Sequence, residues 1–131
     1  VGISATLQVD ISGHLPPHIE ECLYRVTQEA LNNALKHAAA TAVFVHLHTD
    51  DSNVFLSVTD DGQGFDPTAV ELEGRLGISS MRQRIRQLGG LFEIESKTGV
   101  GTTVSVAIPL RAHTAVSSPQ ARPGILTEVV P

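Results

Sequence analysis

From Thr41 to Asp60 the chain alternates apolar and polar residues twice, with one break between the two runs. "TAVFVHLHTD" (Thr41–Asp50) sets Val43, Val45 and Leu47 on one side and Phe44, His46 and His48 on the other. "NVFLSVTD" (Asn53–Asp60) resumes the alternation after the turn-forming "DDSN". Side chains of a strand point alternately to its two faces, so each run fits a half-buried strand. The short polar turn joins them as an antiparallel hairpin. Any fold for this chain has to place that hairpin in a sheet with one face covered.

The remaining segments are arranged around it. Ile3–Ile11 alternates through Ile3, Ala5, Leu7, Val9 and Ile11 and reads as another strand. "SGHLPP" is a loop, and Pro16 and Pro17 suit the entry to a helix. That helix is expected from about His18 to Ala38, with Ile19, Cys22, Leu23, Val26, Ala30 and Ala34 on its apolar face. "DDGQGFDP" breaks regular structure, and "TAVELEGRLG" is a short segment bounded by Pro67 and Gly77. "ISSMRQRIRQLGG" reads as a second helix, capped by Ser79 or Ser80 and ended by Gly89–Gly90. "LFEIESK" and "TTVSVAIPL" are strands joined by "TGVG". Strands and helices do not strictly alternate. The predicted fold is therefore a two-layer α/β sandwich: a mixed, mostly antiparallel sheet with helices packed on one face. Residues 1–110 are expected to form the domain. Residues 111–131, rich in Pro, Ser and Ala, read as a C-terminal tail in which "GILTEVV" offers a marginal strand.

Composition narrows the function classes. A chain of 131 residues suits one domain with a real core. A net charge of −5 disfavours general nucleic-acid or anionic-membrane binding. No apolar run is long enough to span a bilayer, and the first residues do not read as a signal peptide. The single cysteine, Cys22, sits among apolar helix positions and is expected in the core. A reducing, cytoplasmic setting fits.

Four stretches carry chemistry. "QEALNNALKHA" (Gln28–Ala38) holds two adjacent asparagines in a helix, although asparagine competes with the helix backbone for hydrogen bonds. At about 100° per residue, Glu29, Asn33 and Lys36 fall within a sector of roughly 60° at the edge of the apolar stripe. A plain solvated face spaces charges this way too. Asn33 tilts the reading towards a site, because an amide at the core edge is costly to bury without a partner. Amide and carboxylate oxygens suit Mg²⁺, which takes its other ligands from water and nucleotide phosphates. Lys36 would meet those phosphates as a point charge. Asn32, turned by about 100° from Asn33, is expected at the surface.

"DDGQGF" follows a strand. Asp60 continues the inward register of Leu56 and Val58, and Asp61 points away. Gly62 and Gly64 allow a close approach by a planar ligand, and Asp60 suits an exocyclic amine such as adenine presents. Alone, an ordinary Asp-Gly turn explains the stretch better. "GRLGISSM" sets Gly74 and Gly77 before a helix N-terminus, which favours an anion, with Arg75 as an added cation; a normal cap and loop account for it equally well. Arg82, Arg84 and Arg86 do not share a helix face and read mainly as surface charge, Arg82 being a candidate exception. "TGVGTTV" reads first as a hairpin turn, with Thr102 placed to hydrogen-bond near Asp60.

Together and in this order, these stretches resemble the ATP-binding catalytic domain of sensor histidine kinases, within the Bergerat-fold (GHKL) ATPase superfamily. "EALNNALKHA" is similar to the N box, "DDGQGF" to the first glycine box, "GRLGIS" to a shortened second glycine box and "GVGTTV" to the closing glycine-threonine element. The resemblance covers about Leu15 to Leu110. The run from Gly77 to Leu110 is most similar to the NarL-type subgroup that includes the DesK-like kinases. The resemblance implies Mg²⁺ ligation by Asn33 and phosphate contact by Lys36, with His37 flanking the nucleotide. It implies adenine reading by Asp60, a pocket shaped by Gly62 and Gly64, Gly77 by the phosphates, and support of the adenine end by Thr102. Glu29 matches the position that holds the water-activating base in ATP-hydrolysing relatives.

The implied activity is that of a protein histidine kinase, with ATP and Mg²⁺ bound here and the phosphoacceptor elsewhere. None of His14, His18, His37, His46, His48 or His113 has the setting of the phosphorylated histidine. The chain is thus expected to be an excised, monomeric catalytic domain. Its partners would be a histidine-containing dimerisation domain and, through it, a response regulator. The second glycine box departs from the fuller pattern, with Arg75-Leu76 before Gly77. Alternatives are an anti-sigma-factor serine kinase, another ATPase of the superfamily, and a degenerate nucleotide-binding or docking module.

Overall fold

The computed structural model describes residues 3–66, 68, 76–110 and 128–129. Strand β1 (Ser4–Asp10) leads to helix α1 (Pro17–Lys36), then to β2 (Ala42–Thr49) and β3 (Asn53–Asp60). Helix α2 (Ile78–Gln87), β4 (Leu91–Lys97), β5 (Gly101–Pro109) and the short β6 (Glu128–Val129) follow. The sheet order is β4-β5-β3-β2-β1-β6. Among its pairings β1–β2 is parallel, in register from Ser4↔Ala42 to Asp10↔His48, as a strand–helix–strand crossover requires. β2–β3, β3–β5, β4–β5 and β1–β6 are antiparallel. The predicted two-layer sandwich with a mixed, mostly antiparallel sheet is the observed fold.

One face of the sheet is covered. Helix α1 packs on β2 and β3, α2 packs on β4, and the helices touch each other. Ile19, Cys22, Leu23, Val26, Ala30 and Ala34 are the buried face of α1, the stripe read from the sequence. Ile19, Val26, Met81, Ile85, Val54 and Ile108 are all but sealed from solvent. Each such side chain contributes about 1.5–3 kcal/mol by leaving water. Val43, Val45, Leu56 and Val58 point the same way and complete the core. Cys22 is a buried free thiol, as expected, and burial raises its pKa, an effect the charge of Arg84 opposes.

The other face is open. There Phe44, His46, His48 and Phe55 form a row, with His46 stacked on His48 at 4.7 Å and His48 on Phe55 at 4.9 Å between ring centroids. His46 Nε2 lies 3.4 Å from Asp10 Oδ2.

Three local expectations need adjustment. Helix α1 stops at Lys36 rather than Ala38, because Ala39 turns to φ 51° and the Ala40 N–H returns to the Ala34 carbonyl. Neither Ser79 nor Ser80 caps α2. Its N-cap is Gly77 at φ 69°, with no side-chain cap bond, so both serines fall inside the helix. Asn32 is half-buried rather than exposed. Gly74, Arg75 and most of segment 111–131 lie outside the described residues. From that segment Glu128–Val129 pair with Leu7 and Thr6 at the β1 edge, within the stretch that offered a marginal strand. Among the described residues no helix is long and apolar enough to cross a membrane.

Candidate functional site

The apolar stripe of α1 changes character along its length. Ile19, Leu23 and Val26 fill the space above the sheet, whereas Ala30 and Ala34 carry single methyl groups. Beneath the second half of the helix lies a cavity of about 240 Å³. Ala30, Val58, Leu76, Ile94 and Val104 form its apolar wall. Asn33, His37, Asp60, Gln63 and Thr102 bring polar groups to it, and Gly64 and Phe65 close one side. Five of the residues singled out in the sequence thus meet in one place: Asn33, His37, Asp60, Gly64 and Thr102. They come from α1, the end of β3, the loop after it and the start of β5. A larger hollow of about 940 Å³ is a solvent-open shallow along the strand ends, lined largely by open-face side chains such as Thr6, Phe44 and Thr103. It lacks the converging groups of α1.

Asp60 and Asp61 part company as the strand register demands. The Asp60 carboxylate accepts the Gly62 N–H at 2.8 Å and lies opposite Thr102 on β5. Burial pushes its pKa up. The backbone N–H groups of Gly62 and Thr102 oppose that shift, and the neighbouring Asp61 charge adds to it. Asp61 points outward and ties the entry of β2, accepting the Thr41 hydroxyl at 2.6 Å and the Thr41 and Ala42 N–H groups at 2.8 and 2.9 Å. Those bonds, led by the Thr41 hydroxyl, lower its pKa. One aspartate lines the cavity and its neighbour is a structural clamp.

The glycines are set by close packing. A Cβ on Gly62 would lie 2.5 Å from the Ala38 Cβ, so the loop runs directly against the end of α1. Gly64 has φ 66°, and a Cβ there would enter the Lys97 carbonyl. Gly77 seats the start of α2 against α1, since a Cβ on it would lie 2.7 Å from Glu29 Oε1. The Glu29 carboxylate therefore rests at the N-terminus of α2, where the helix dipole favours negative charge. Lys36 is exposed at the last turn of α1 and is not part of the cavity wall.

Asn33 is the most telling side chain. Its amide nitrogen donates to the Leu76 carbonyl at 2.7 Å, which fixes the side chain's orientation. Its Oδ1 is then buried with no hydrogen-bond partner among the described residues. A buried acceptor left unmatched costs about 1–3 kcal/mol, so this oxygen is suited to a ligand or a cation. An unpaired amide oxygen is a hard donor of the kind Mg²⁺ takes, and the residues present fit that ion.

Sequence reasoning missed Gln63, Phe65 and Ser96. Gln63 bonds the end of α1, from its side chain to the His37 carbonyl at 3.1 Å and from its N–H to the Ala38 carbonyl at 2.8 Å. Ser96, in β4, accepts the Phe65 N–H at 2.8 Å and lies 2.7 Å from the Thr102 hydroxyl. The signal for Ser96 was its place in the alternation of "LFEIESK", on the same face as Phe92 and Ile94. Arg82, the candidate exception among the arginines, stacks over Phe92 at 5.5 Å.

Residues 18–112 match the family described as "Histidine kinase-, DNA gyrase B-, and HSP90-like ATPase". The chain belongs to this family. Among curated relatives it is 38% identical over 95 residues to the signal transduction histidine-protein kinase/phosphatase DegS of Brevibacillus brevis, covering 72% of this chain and 24% of that protein. It is likewise 38% identical over 96 residues to the sensor protein VraS of Staphylococcus aureus, covering 73% of this chain and 27% of the relative. Among solved structures it resembles the Erythrobacter litoralis EL346 blue-light activated histidine kinase, with TM-score 0.61 and 27% identity over 82% of this chain and 36% of that one. The chain thus spans about a quarter of the length of the curated relatives it matches. The ATPase-family domain and its fold are those the N box and glycine boxes implied.

Proposed function

We propose that this chain is the ATP-binding catalytic domain of a two-component sensor histidine kinase, which delivers the γ-phosphoryl of ATP to a histidine on a separate dimerisation domain for relay to a response regulator. The observation that carries the proposal is the Oδ1 of Asn33, buried and without a partner among the described residues, beside a cavity that Asp60 and Thr102 also line. A cavity of 240 Å³ is below the usual range of about 300–1,000 Å³ for whole-ligand pockets, and it suits the base end of a nucleotide. The phosphates would then run past Asn33 towards Leu76 and Gly77.

Asp60 accepts the exocyclic amine of adenine, and Thr102 supports that end of the ring. The apolar wall of Val58, Ile94 and Val104 receives the base faces and excludes water. Asn33 holds Mg²⁺ through Oδ1, with His37 flanking the nucleotide. When bound, Mg²⁺ would supply positive charge that offsets the phosphates. Lys36, at the exposed end of α1, meets the phosphates from the solvent side, and Gly77 lets the start of α2 approach them. The contribution of these residues is positioning and charge complementarity. Glu29 lies beside Gly77 and not in the cavity wall, a placement that favours ordering the start of α2 over activating water. DegS and VraS, named as a histidine kinase and a sensor protein, support the kinase reading over other members of the family. The setting would be cytoplasmic.

Mixing the chain with a histidine-containing dimerisation domain of a matching kinase and γ-labelled ATP tests this. Label is expected on the histidine domain, with little ATP turnover by the chain alone. Fast stoichiometric hydrolysis without that domain, or no binding of Mg-ATP, overturns the proposal.

A further inference from the structure

We infer that Ser96 is a positioning residue that sets the Thr102 hydroxyl as a hydrogen-bond donor to the base, so that Asp60 and Thr102 present an acceptor beside a donor. The inference rests on the nucleotide reading above and adds the group that gives the base pocket its polarity. Ser96 and Thr102 are direct partners across β4 and β5, on the helix-covered face. Their hydroxyl oxygens are 2.7 Å apart. Ser96 Oγ also accepts the Phe65 N–H at 2.8 Å and lies 3.3 Å from the Gly101 carbonyl.

Either hydroxyl of the 2.7 Å pair can be the donor, and we assign that role to Ser96. Ser96 has one proton to give. Hydroxyl donors usually sit about 2.5–3.0 Å from their acceptors, so the Gly101 carbonyl is the poorer partner and the proton goes to Thr102. Thr102 accepts that proton and keeps its own, which turns to the cavity that Thr102 lines together with Asp60. An adenine edge offers an amine donor beside a ring-nitrogen acceptor, and it matches this pair. A guanine edge offers an oxygen acceptor beside an N–H donor, and it opposes both groups. Ser96 does not line the 240 Å³ cavity, so its effect on the base is exerted through Thr102. Its bond to Phe65 ties the same device to the loop that carries Gly64.

The experiment is calorimetric titration of the full chain with Mg-ATP and with Mg-1-deaza-ATP, whose ring lacks the acceptor nitrogen. Wild type is expected to bind ATP about tenfold tighter than the analogue. Ser96→Ala should lose about fivefold for ATP and little for the analogue, which narrows the ratio, and Ser96→Thr should restore it. If Ser96→Ala does not fold, Ser96→Cys takes its place and should narrow the ratio in the same way. A variant that weakens both nucleotides equally, or keeps the wild-type ratio, overturns the role of Ser96 and leaves the nucleotide reading standing. Absence of binding of either nucleotide by wild type overturns both.

Discussion

The two halves of α1 lie over the same sheet and differ in what they leave beneath them. In the first half Ile19 and Val26 have no exposed surface, and a hollow of about 220 Å³ beside Leu23 is bounded mainly by apolar side chains such as Leu15, Val45 and Leu56. In the second half Ala30 and Ala34 bury their methyl groups but leave a cavity, and Asn33 turns an unmatched oxygen into it. The apolar half stabilises the fold. The other half gives up packing and leaves a polar atom without a partner among the described residues, which a ligand can supply. A single helix thus acts as core at one end and as cavity wall at the other, and the size of its inward side chains decides which.

Substitutions that separate the halves test the comparison, and the largest effect is expected in the apolar half. Ile19→Ala should lower stability by about 2–5 kcal/mol in urea denaturation, since the void it leaves has no ligand to fill it. Nucleotide affinity of the folded fraction should stay within about twofold of wild type. A change in affinity as large as the change in stability would mean the two halves are not separable.

The next effect is at the site. Asp60→Asn should weaken Mg-ATP by about ten- to a hundredfold, because the bond it removes is to a charged acceptor. Asn33→Ala should cost about tenfold with Mg²⁺ present and nothing in its absence. Calorimetry with and without EDTA checks both, and equal affinity of all three proteins for Mg-ATP would break the site assignment. Removing the orphaned oxygen of Asn33 should not destabilise the ligand-free domain beyond the loss of its Leu76 bond.

The smallest effect is on pH dependence, where Asp60 and Asp61 should act with opposite sign. Burial makes the folded state hold the Asp60 proton more tightly than the unfolded chain does. Stability contributed there falls as pH rises from the ordinary aspartate range through the raised folded value. Asp61 is held ionised by its hydrogen bonds, so its contribution is present above that range and is lost as pH falls through the lowered folded value. Between about pH 3 and 5, Asp60→Asn should therefore steepen the rise of stability with pH, and Asp61→Asn should flatten it. Urea midpoints across that window measure both slopes.

Much of this was legible in the chain because it depends on short-range periodicity. The alternation in Thr41–Asp60 gave the hairpin, the stripe of α1 gave the buried face, and the register from Leu56 and Val58 separated Asp60 from Asp61. The spacing of Glu29, Asn33 and Lys36 pointed to Asn33, which lines the cavity although Glu29 and Lys36 do not, and the N box and glycine boxes implied the family. What the sequence could not supply came from residues distant along the chain. The glycine that starts α2 is there because Glu29 lies against it, not because a serine caps the helix. Asn33 is oriented by the Leu76 carbonyl, which no local pattern encodes. Ser96 reaches Phe65 and Thr102 only once β4 and β5 pair. Local periodicity fixes which way a side chain faces, because backbone geometry repeats from residue to residue. Which group it meets, and whether a void or a partner waits there, depends on how the helices and the strand ends are brought together, and only the tertiary structure decides that.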